Sequence, residues 1–312
     1  MSEAATTTGD TLAVPSAAPV QTRAARLRNF WSDFRRSTVA VCALAVILAL
    51  LALSFGAPLV APQDPYDLAA LDWMDAFLEP GTEGSGGYVH LLGTDNAGRD
   101  MLSAIFYGLR TSFTIGVSAG ALALAIGVCV GLTAADFGGR IESALMRVLD
   151  LQLSMPAILL ALVLVAVLGQ GVPQIILALV VAQYAYFART THGAATVERG
   201  KDYVEAARST PLPTRRVLFR HLLPNVLPPL IVVATVQVAS AIALEATLSF
   251  LGVGLPLTEP SLGSLISNGF KYIHSNRYWL SIYPGLFLMV TVVAINLVGD
   301  QVRTVLDPKN SR

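Results

Sequence analysis

Five apolar stretches, one of them of double length, organise this chain. Residues 37–63, 111–135, 151–188 and 278–299 contain no Asp, Glu, Lys or Arg, and residues 226–251 contain only Glu245. A helix crosses the hydrocarbon of a bilayer with about 20 apolar residues. Four stretches therefore predict one crossing each, while 151–188 holds enough for two. Gly169-Gln170-Gly171-Val172-Pro173 divides that stretch, ending a third helix near Leu168 and opening a fourth near Pro173. The pattern predicts an all-α membrane protein with six transmembrane helices. In the second helix, Gly116/Gly120 and Gly127/Gly131 form small-xxx-small pairs. Such spacing lets helices pack closely, although glycine is also tolerated in membrane helices without that role.

The polar segments set the remaining boundaries. Residues 1–20 are rich in Ala, Thr and Pro with little hydrophobic mass and predict a disordered tail. Arg23, Arg26, Arg28, Arg35 and Arg36 follow, interleaved with Phe30, Trp31 and Phe34. That mixture reads as an interfacial helix on the inner leaflet rather than a nucleic-acid arm. A cleaved signal peptide does not fit, because the apolar run is longer than the roughly 7–15 residues of an h-region and follows a long polar segment. Residues 64–100 and 252–277 read as excursions on the far side, and 136–150 as a polar turn. The division expected is a tail and basic segment at 1–37, a first helix at 38–60 and an extracytoplasmic loop at 61–108. A core at 109–300 follows, with a loop at 189–224, and a polar tail at 301–312.

Six crossings put both termini on one side, and basic residues identify it. The N-terminal segment, the 136–150 turn, the 189–220 loop and the C-terminal tail hold 17 of the 21 Lys and Arg residues. Only Arg99, Arg110, Lys271 and Arg277 lie elsewhere. Both termini and the 189–224 loop are therefore expected in the cytoplasm.

Composition agrees with a membrane protein. Only 13% of residues are charged, against about 25% in soluble domains, and the mean hydropathy is +0.61. Lys plus Arg and Asp plus Glu both total 21, which points away from a nucleic-acid partner. Cys42 and Cys129 lie in apolar runs and the four histidines are scattered, so neither disulfide nor metal site is expected. Gly93 to Gly98 (GTDNAG) has no preceding strand and no following lysine, so it is not a phosphate-binding loop, and no zinc motif or nucleophile elbow occurs.

One polar segment is organised. Asp202 is a good N-cap, and Tyr203 to Thr210 is a run rich in helix formers. Pro211 ends it. Thr214 then caps a second short helix, 215–221, which Pro224 stops. Tyr203, Ala206, Ala207 and Thr210 share one face, where small alanines admit another backbone, while Glu205 and Arg208 pair with each other or with a partner. Glu245 is the other residue that needs a reason, because an ionised carboxylate at a helix centre costs roughly 2.5–3.5 kcal/mol. It lies a turn or two from the outer end of the fifth helix, where a pathway contact, a subunit contact and a structural role all remain open.

Glu205-Ala206-Ala207, followed at fixed offsets by His221, Leu223, Pro224 and Asn225, resembles the EAA loop of ABC-importer permeases. Gly93, Thr94, Asp95, Gly98, Arg99 and Asp100, with the strings at 245–256 and 295–308, are similar to the dipeptide/oligopeptide/nickel type of that family. The resemblance runs from about Leu91 to Pro308. One departure is Pro211, where the family usually has glycine; proline cannot supply a positive-φ helix end. The resemblance implies the type I ABC importer permease fold. It implies a coupling helix, formed by Asp202, Tyr203, Glu205, Ala206, Ala207 and Arg208 before Pro211, that docks on a cytoplasmic ATPase. The implied partners are a second permease subunit, two ATPase subunits that hold the ATP and magnesium, and an extracytoplasmic binding protein that delivers di- or oligopeptides. Nickel or glutathione are alternative cargoes. An ion-coupled secondary transporter, with Glu245 as its relay, and a receptor-like docking protein are the competing classes.

Overall fold

The computed structural model describes residues 23–66, 71–209, 213–256 and 258–306. The tail read at 1–20 and the last residues of the chain lie outside them. A basic amphipathic helix α1 (Arg23–Phe34) precedes α2 (Thr38–Phe55) and one turn of helix, α3 (Ala57–Val60). The loop that follows holds a two-residue hairpin, β1 (Thr82–Glu83) paired antiparallel with β2 (Val89–His90). Next come α4 (Met101–Phe137), α5 (Gly139–Leu153), α6 (Ala157–Leu168), α7 (Val172–Arg199) and α8 (Asp202–Ser209). The chain closes with α9 (Thr214–Arg216), a π-helical stretch (Val217–Leu222), α10 (Leu223–Phe250), α11 (Leu262–Phe270) and α12 (Trp279–Leu306).

Among the described residues, five helices are long and apolar enough to span a bilayer: α2, α4, α7, the continuous run Thr214–Phe250, and α12. The third crossing is not one straight helix. α5 and α6 meet at a bend of 89°, and α6 has 12 residues, about 18 Å against a hydrocarbon core of about 30 Å. The pair still carries the chain across. α5 is tied to the end of α7 by Glu142–His192 (2.7 Å) and Asp150–Arg189 (2.9 Å), while α6 delivers Val165 to a cluster with Ile175, Leu248 and Leu255 at the opposite end. The stretch expected as a polar turn at 136–150 is thus mostly helix. It is amphipathic, with Leu149 buried and the charges outside. Gly169 (φ +88°) ends α6, and Pro173 opens α7, as the sequence divides them.

Two ends result. The basal end gathers α1, the start of α2, the close of α4, α7 and α12, and all of α8 and α9. There Phe34, Ala40 and Val302 form one cluster, and Val128, Leu132, Ala195, Val204, Val217 and Val226 another. The apical end is closed by the loop before α4 and by α11.

α4 begins ten residues before its apolar run because its first turns are buried by protein. Asp100 N-caps it, accepting from the Ser103 amide (2.8 Å) and hydroxyl (2.6 Å), and His90 Nδ1 meets the other carboxylate oxygen at 2.9 Å. Arg99 lies 3.9 Å from Asp95, but the buried partner of Asp100 is His90, which the scattered spacing of the histidines does not reveal. Asp95 accepts from the Ala97 and Arg99 amides (2.8 and 2.9 Å). Burial raises its carboxyl above the ordinary range, against the lowering pull of Arg99 and those amides. Trp279 Nε1 donates to Thr94 O (3.3 Å), and Arg277 lies 3.5 Å over the Phe77 ring, fastening the loop to α12.

The closing segments also run further than their apolar patterns. Thr214 does not cap a separate short helix, and Pro224 does not stop one. Pro213 occupies the cap, and the helix continues from Thr214 to Phe250. A proline ring clashes with the carbonyl four residues back, here Arg220, which lies in the wider π turn; Leu223 N–H bonds five residues back to Leu218 O. The polar tail expected after residue 300 is helical as far as Leu306.

The most extensive packing joins α4 to α7. A methyl group at Gly131 would stand 2.6 Å from Thr191 Cβ, and one at Gly127 would stand 2.7 Å from Tyr184 O. These glycines serve close approach, which decides between the two readings of the small-residue spacing. By contrast, nothing lies within 4 Å of a methyl at Gly193. Gly131→Ala should cost about 1–3 kcal/mol through overpacking, whereas Gly193→Ala should be neutral or up to about 1 kcal/mol stabilising. Thermal unfolding of both variants in detergent checks this; the opposite order would contradict the seam.

Candidate functional site

α8 is a short helix outside the long bundle, and its placement follows from its two faces. Its first turn closes on Lys201 O, which accepts from Val204 N (2.9 Å) and Glu205 N (3.3 Å). Asp202 is therefore the first helical residue and not the cap, still placed where its charge favours the helix N-terminus. Val204 and Ala207 are buried, at 1% and 9% exposure, while Tyr203, Glu205 and Ala206 are exposed. The buried stripe is thus Val204–Ala207, and the face expected to group Tyr203, Ala206 and Ala207 is divided between inside and outside. Val204 is the bulky apolar residue of this helix, and it joins Val217, Leu222 and Val226 with Leu132 and Ala195. The sequence signal for this stripe is the apolar pair Val204 and Ala207 at i, i+3, which overlaps the alanine motif. Arg208 lies within α8 with its side chain outside the described residues, as are Thr210 and Pro211.

A polar clasp fixes the helix to its neighbours. Tyr203 OH donates to Glu198 Oε2 of α7 at 2.6 Å and accepts from Asn225 Nδ2 of α10 at 3.0 Å. Lys201 Nζ pairs with Glu198 Oε1, and Asn225 Nδ2 also donates to His221 O (2.9 Å). Burial, reinforced by the Glu198 carboxylate, pushes the Tyr203 hydroxyl up to about 12, so it stays a donor at any physiological pH. Arg199 Nη1 donates to Ala135 O in the last turn of α4. Beside α8, the following turns expose Arg215, Arg216, Arg220 and Phe219. The result is a supported helix whose outer side, with Glu205 and Ala206, is presented away from the bundle next to a basic, partly apolar surface.

Glu245 is elsewhere, at the apical end and inside the protein. It is completely buried; Ser112 Oγ of α4 donates to Oε2 and Ser249 Oγ to Oε1, each at 2.8 Å. Ser261 is the N-cap of α11, in a capping box with Ser264. The Glu245 carboxylate therefore ties α4 to α10. Both carboxylate oxygens are thus taken up by hydroxyls of this chain.

Comparison with known proteins places these features. Residues 127–312 match the family described as "binding-protein-dependent transport system inner membrane component", and residues 26–80 match the N-terminal transmembrane domain of oligopeptide transport permease C. The chain is 36% identical over 296 residues to the di/tripeptide transport system permease protein DppC of Pseudomonas aeruginosa, spanning 95% of this chain and 96% of that one. It is 39% identical over 284 residues to the dipeptide transport system permease protein DppC of Escherichia coli K12, spanning 91% and 93%. Among solved structures, a chain of the MetNI methionine ABC transporter in an inward-facing conformation superimposes with a TM-score of 0.53. It has 22% identity and covers 66% of this chain and 97% of its own. That likeness is one of fold.

Two outcomes follow from the clasp and the Glu245 tie. Asn225→Ala removes the hydrogen bond to His221 O and the one to Tyr203 OH, the latter being the tie to α8 and worth about 1 kcal/mol, so amide exchange within α8 should quicken about five-fold with the long helices unchanged; unchanged exchange would show that the clasp holds nothing. Glu245→Ala leaves buried hydroxyls unpaired and should destabilise by about 1–3 kcal/mol, and Glu245→Gln, which keeps an acceptor, by less. Thermal unfolding in detergent reads the difference.

Proposed function

The chain belongs to the binding-protein-dependent transport system inner membrane components, and on that premise we propose that it passes di- or oligopeptides across the membrane as one of two unlike permease subunits. It is a multi-pass inner-membrane permease subunit of an ABC importer, not an enzyme, and such subunits work with ATPase and binding-protein partners. The finer assembly is our reading: a second permease chain beside this one, two ATPases beneath the basal end, and ATP with magnesium held on those ATPases. The peptide cargo rests on the names of the relatives, which span nearly the whole chain at 36% and 39% identity.

The observation that carries the coupling role is the position of α8. It stands at the end that holds α1, the close of α12 and most of the basic residues, which we assign to the cytoplasm. Val204 and Ala207 root it in the core, and Glu198 and Asn225 clasp Tyr203. Glu205 and Ala206 remain on its outer side, with Arg215, Arg216 and Arg220 exposed nearby. An ATPase surface that grips this side moves α8, and the rigid roots pass that displacement to α7 and α10. Ala207, a natural suspect from its place in the motif, serves the inner side. The ion-coupled alternative loses its support here, because Glu245 is fully enclosed by serine hydroxyls within one chain.

Ala206→Arg tests the coupling directly. In the complete complex reconstituted into lipid vesicles, uptake should fall by at least about ten-fold while the variant chain still assembles in normal yield. ATP hydrolysis should lose its stimulation by the binding protein. Normal uptake with normal stimulation would remove α8 from the ATPase contact.

A further inference from the structure

A polar cavity of about 620 Å³ opens at the apical end, in the size range of small-ligand sites. Its wall includes Tyr66, Arg110, Thr111 and Thr114 on one side and Thr258 and Glu259 on the other. Arg110, Thr111 and Thr114 share a face of α4, one turn apart, and Thr258 and Glu259 belong to the connection between α10 and α11. Two features mark this cavity out from the lipid-facing grooves. It carries one cation and one anion, and among the described residues neither is in an ion pair. Further, Glu259 Oε2 is buried without a hydrogen-bond partner, so the carboxylate has unmet acceptor capacity, although that oxygen must turn toward the cavity before a donor there can reach it.

The hydroxyls nearby are not that donor. Thr111 and Thr114 give their protons to the carbonyls of Tyr107 and Arg110 (3.1 and 2.7 Å), leaving oxygen lone pairs toward the cavity. Tyr66 packs edge-on against Tyr107 at 5.4 Å, and Asp64 accepts the Tyr66 amide at 2.9 Å, which fixes that rim. A purely anionic ligand would use Arg110 and be repelled by Glu259; a cation would meet the converse. A molecule with both charges satisfies both walls.

We propose that this cavity is a subsite for the termini of a short peptide, with Arg110 binding the C-terminal carboxylate and Glu259 accepting from the N-terminal ammonium. The proposal rests on the peptide-permease reading and adds the residues that recognise what all short peptides have in common. Arg110 supplies a planar fork matched to a carboxylate, and Glu259 supplies the acceptor that an ammonium requires. Side chains of the cargo contact neither group, so the site fits peptides of varied sequence.

The test uses the complete complex (both permease chains, the ATPases and the binding protein) in lipid vesicles, with a dipeptide that has free termini and a diazirine side chain. ATP-driven uptake of this dipeptide is measured first; its absence in the wild type overturns the peptide reading and this proposal with it. Given uptake, photolysis during turnover should label residues near Arg110–Thr114 or Thr258–Glu259. Labelling confined to other parts of the two permease chains overturns the proposal and leaves the peptide reading standing. Arg110→Gln and Glu259→Gln should each lower uptake by about ten-fold or more, through KM or kcat, while stimulation of ATP hydrolysis by the binding protein stays within about two-fold. Arg110→Lys should recover part of the uptake, since it restores the charge without the fork. Uptake and hydrolysis falling together, with loss of assembled complex, would make the pair structural and overturn the proposal, as would full uptake in both Gln variants.

Discussion

The backbone contact between α4 and α7 is the constraint on which the rest of this structure depends. Gly127 and Gly131 bring α4 against Tyr184, Ala188 and Thr191 of α7 at distances no side chain would permit. In a bilayer the lipid offers no hydrophobic drive for helices to associate, so close packing must supply it. The same two helices then carry the features of both ends. The close of α7 holds Arg189, His192, Glu198 and Arg199, which fasten α5, α8 and the last turn of α4. The start of α4 holds Asp100, Arg110 and Ser112, which meet the apical loop, the cavity and Glu245.

Many polar groups follow one pattern. Where the chain departs from straight apolar helix, a named group often satisfies the exposed backbone or charge. Asp100 caps α4, Ser261 caps α11, the π stretch makes room for Pro224, and two serine hydroxyls hold Glu245. Water cannot take these roles in hydrocarbon. Several buried polar atoms find no partner among the described residues, His90 Nε2, Gln183 Oε1 and Glu259 Oε2 among them, and of these Glu259 belongs to a residue that lines the apical cavity.

Much of the architecture was legible because membrane helices declare themselves by length and charge. The crossings, the division at Gly169 and the existence of α8 all came from runs of apolar residues, proline and glycine. What the sequence concealed had a different cause in each case. α4 starts well before its apolar run because protein, not lipid, buries its first turns, and burial by protein tolerates Ser, Tyr and Arg. The 136–150 segment looked like a turn because its charges were counted without their spacing; at helical period they leave Leu149 inside. The pairings His90–Asp100 and Ser112–Glu245 join residues distant in sequence, and no local pattern encodes them. Arg110 and Glu259 were passed over for the same reason: each is an ordinary charge at a helix or loop margin until the fold sets them across one cavity.

The geometry of α8 explains why its motif needs two alanines for opposite reasons. Ala207 lies beside Val204 on the side that packs into the chain, where a larger residue would lift the helix from its root. Ala206 lies on the outer side, where, in the coupling role proposed above, a small residue would let a partner's backbone approach closely. A helix of eight residues has no reserve of burial beyond Val204 and Ala207, so on its own it would not hold its place. The Tyr203 clasp compensates: it ties α8 at once to α7 and α10, the two helices that both touch α4. A pull on Ala206 therefore cannot be absorbed by α8 alone. It must shift helices that reach the apical end, where Arg110 and Glu245 stand on either side of the α4–α10 contact.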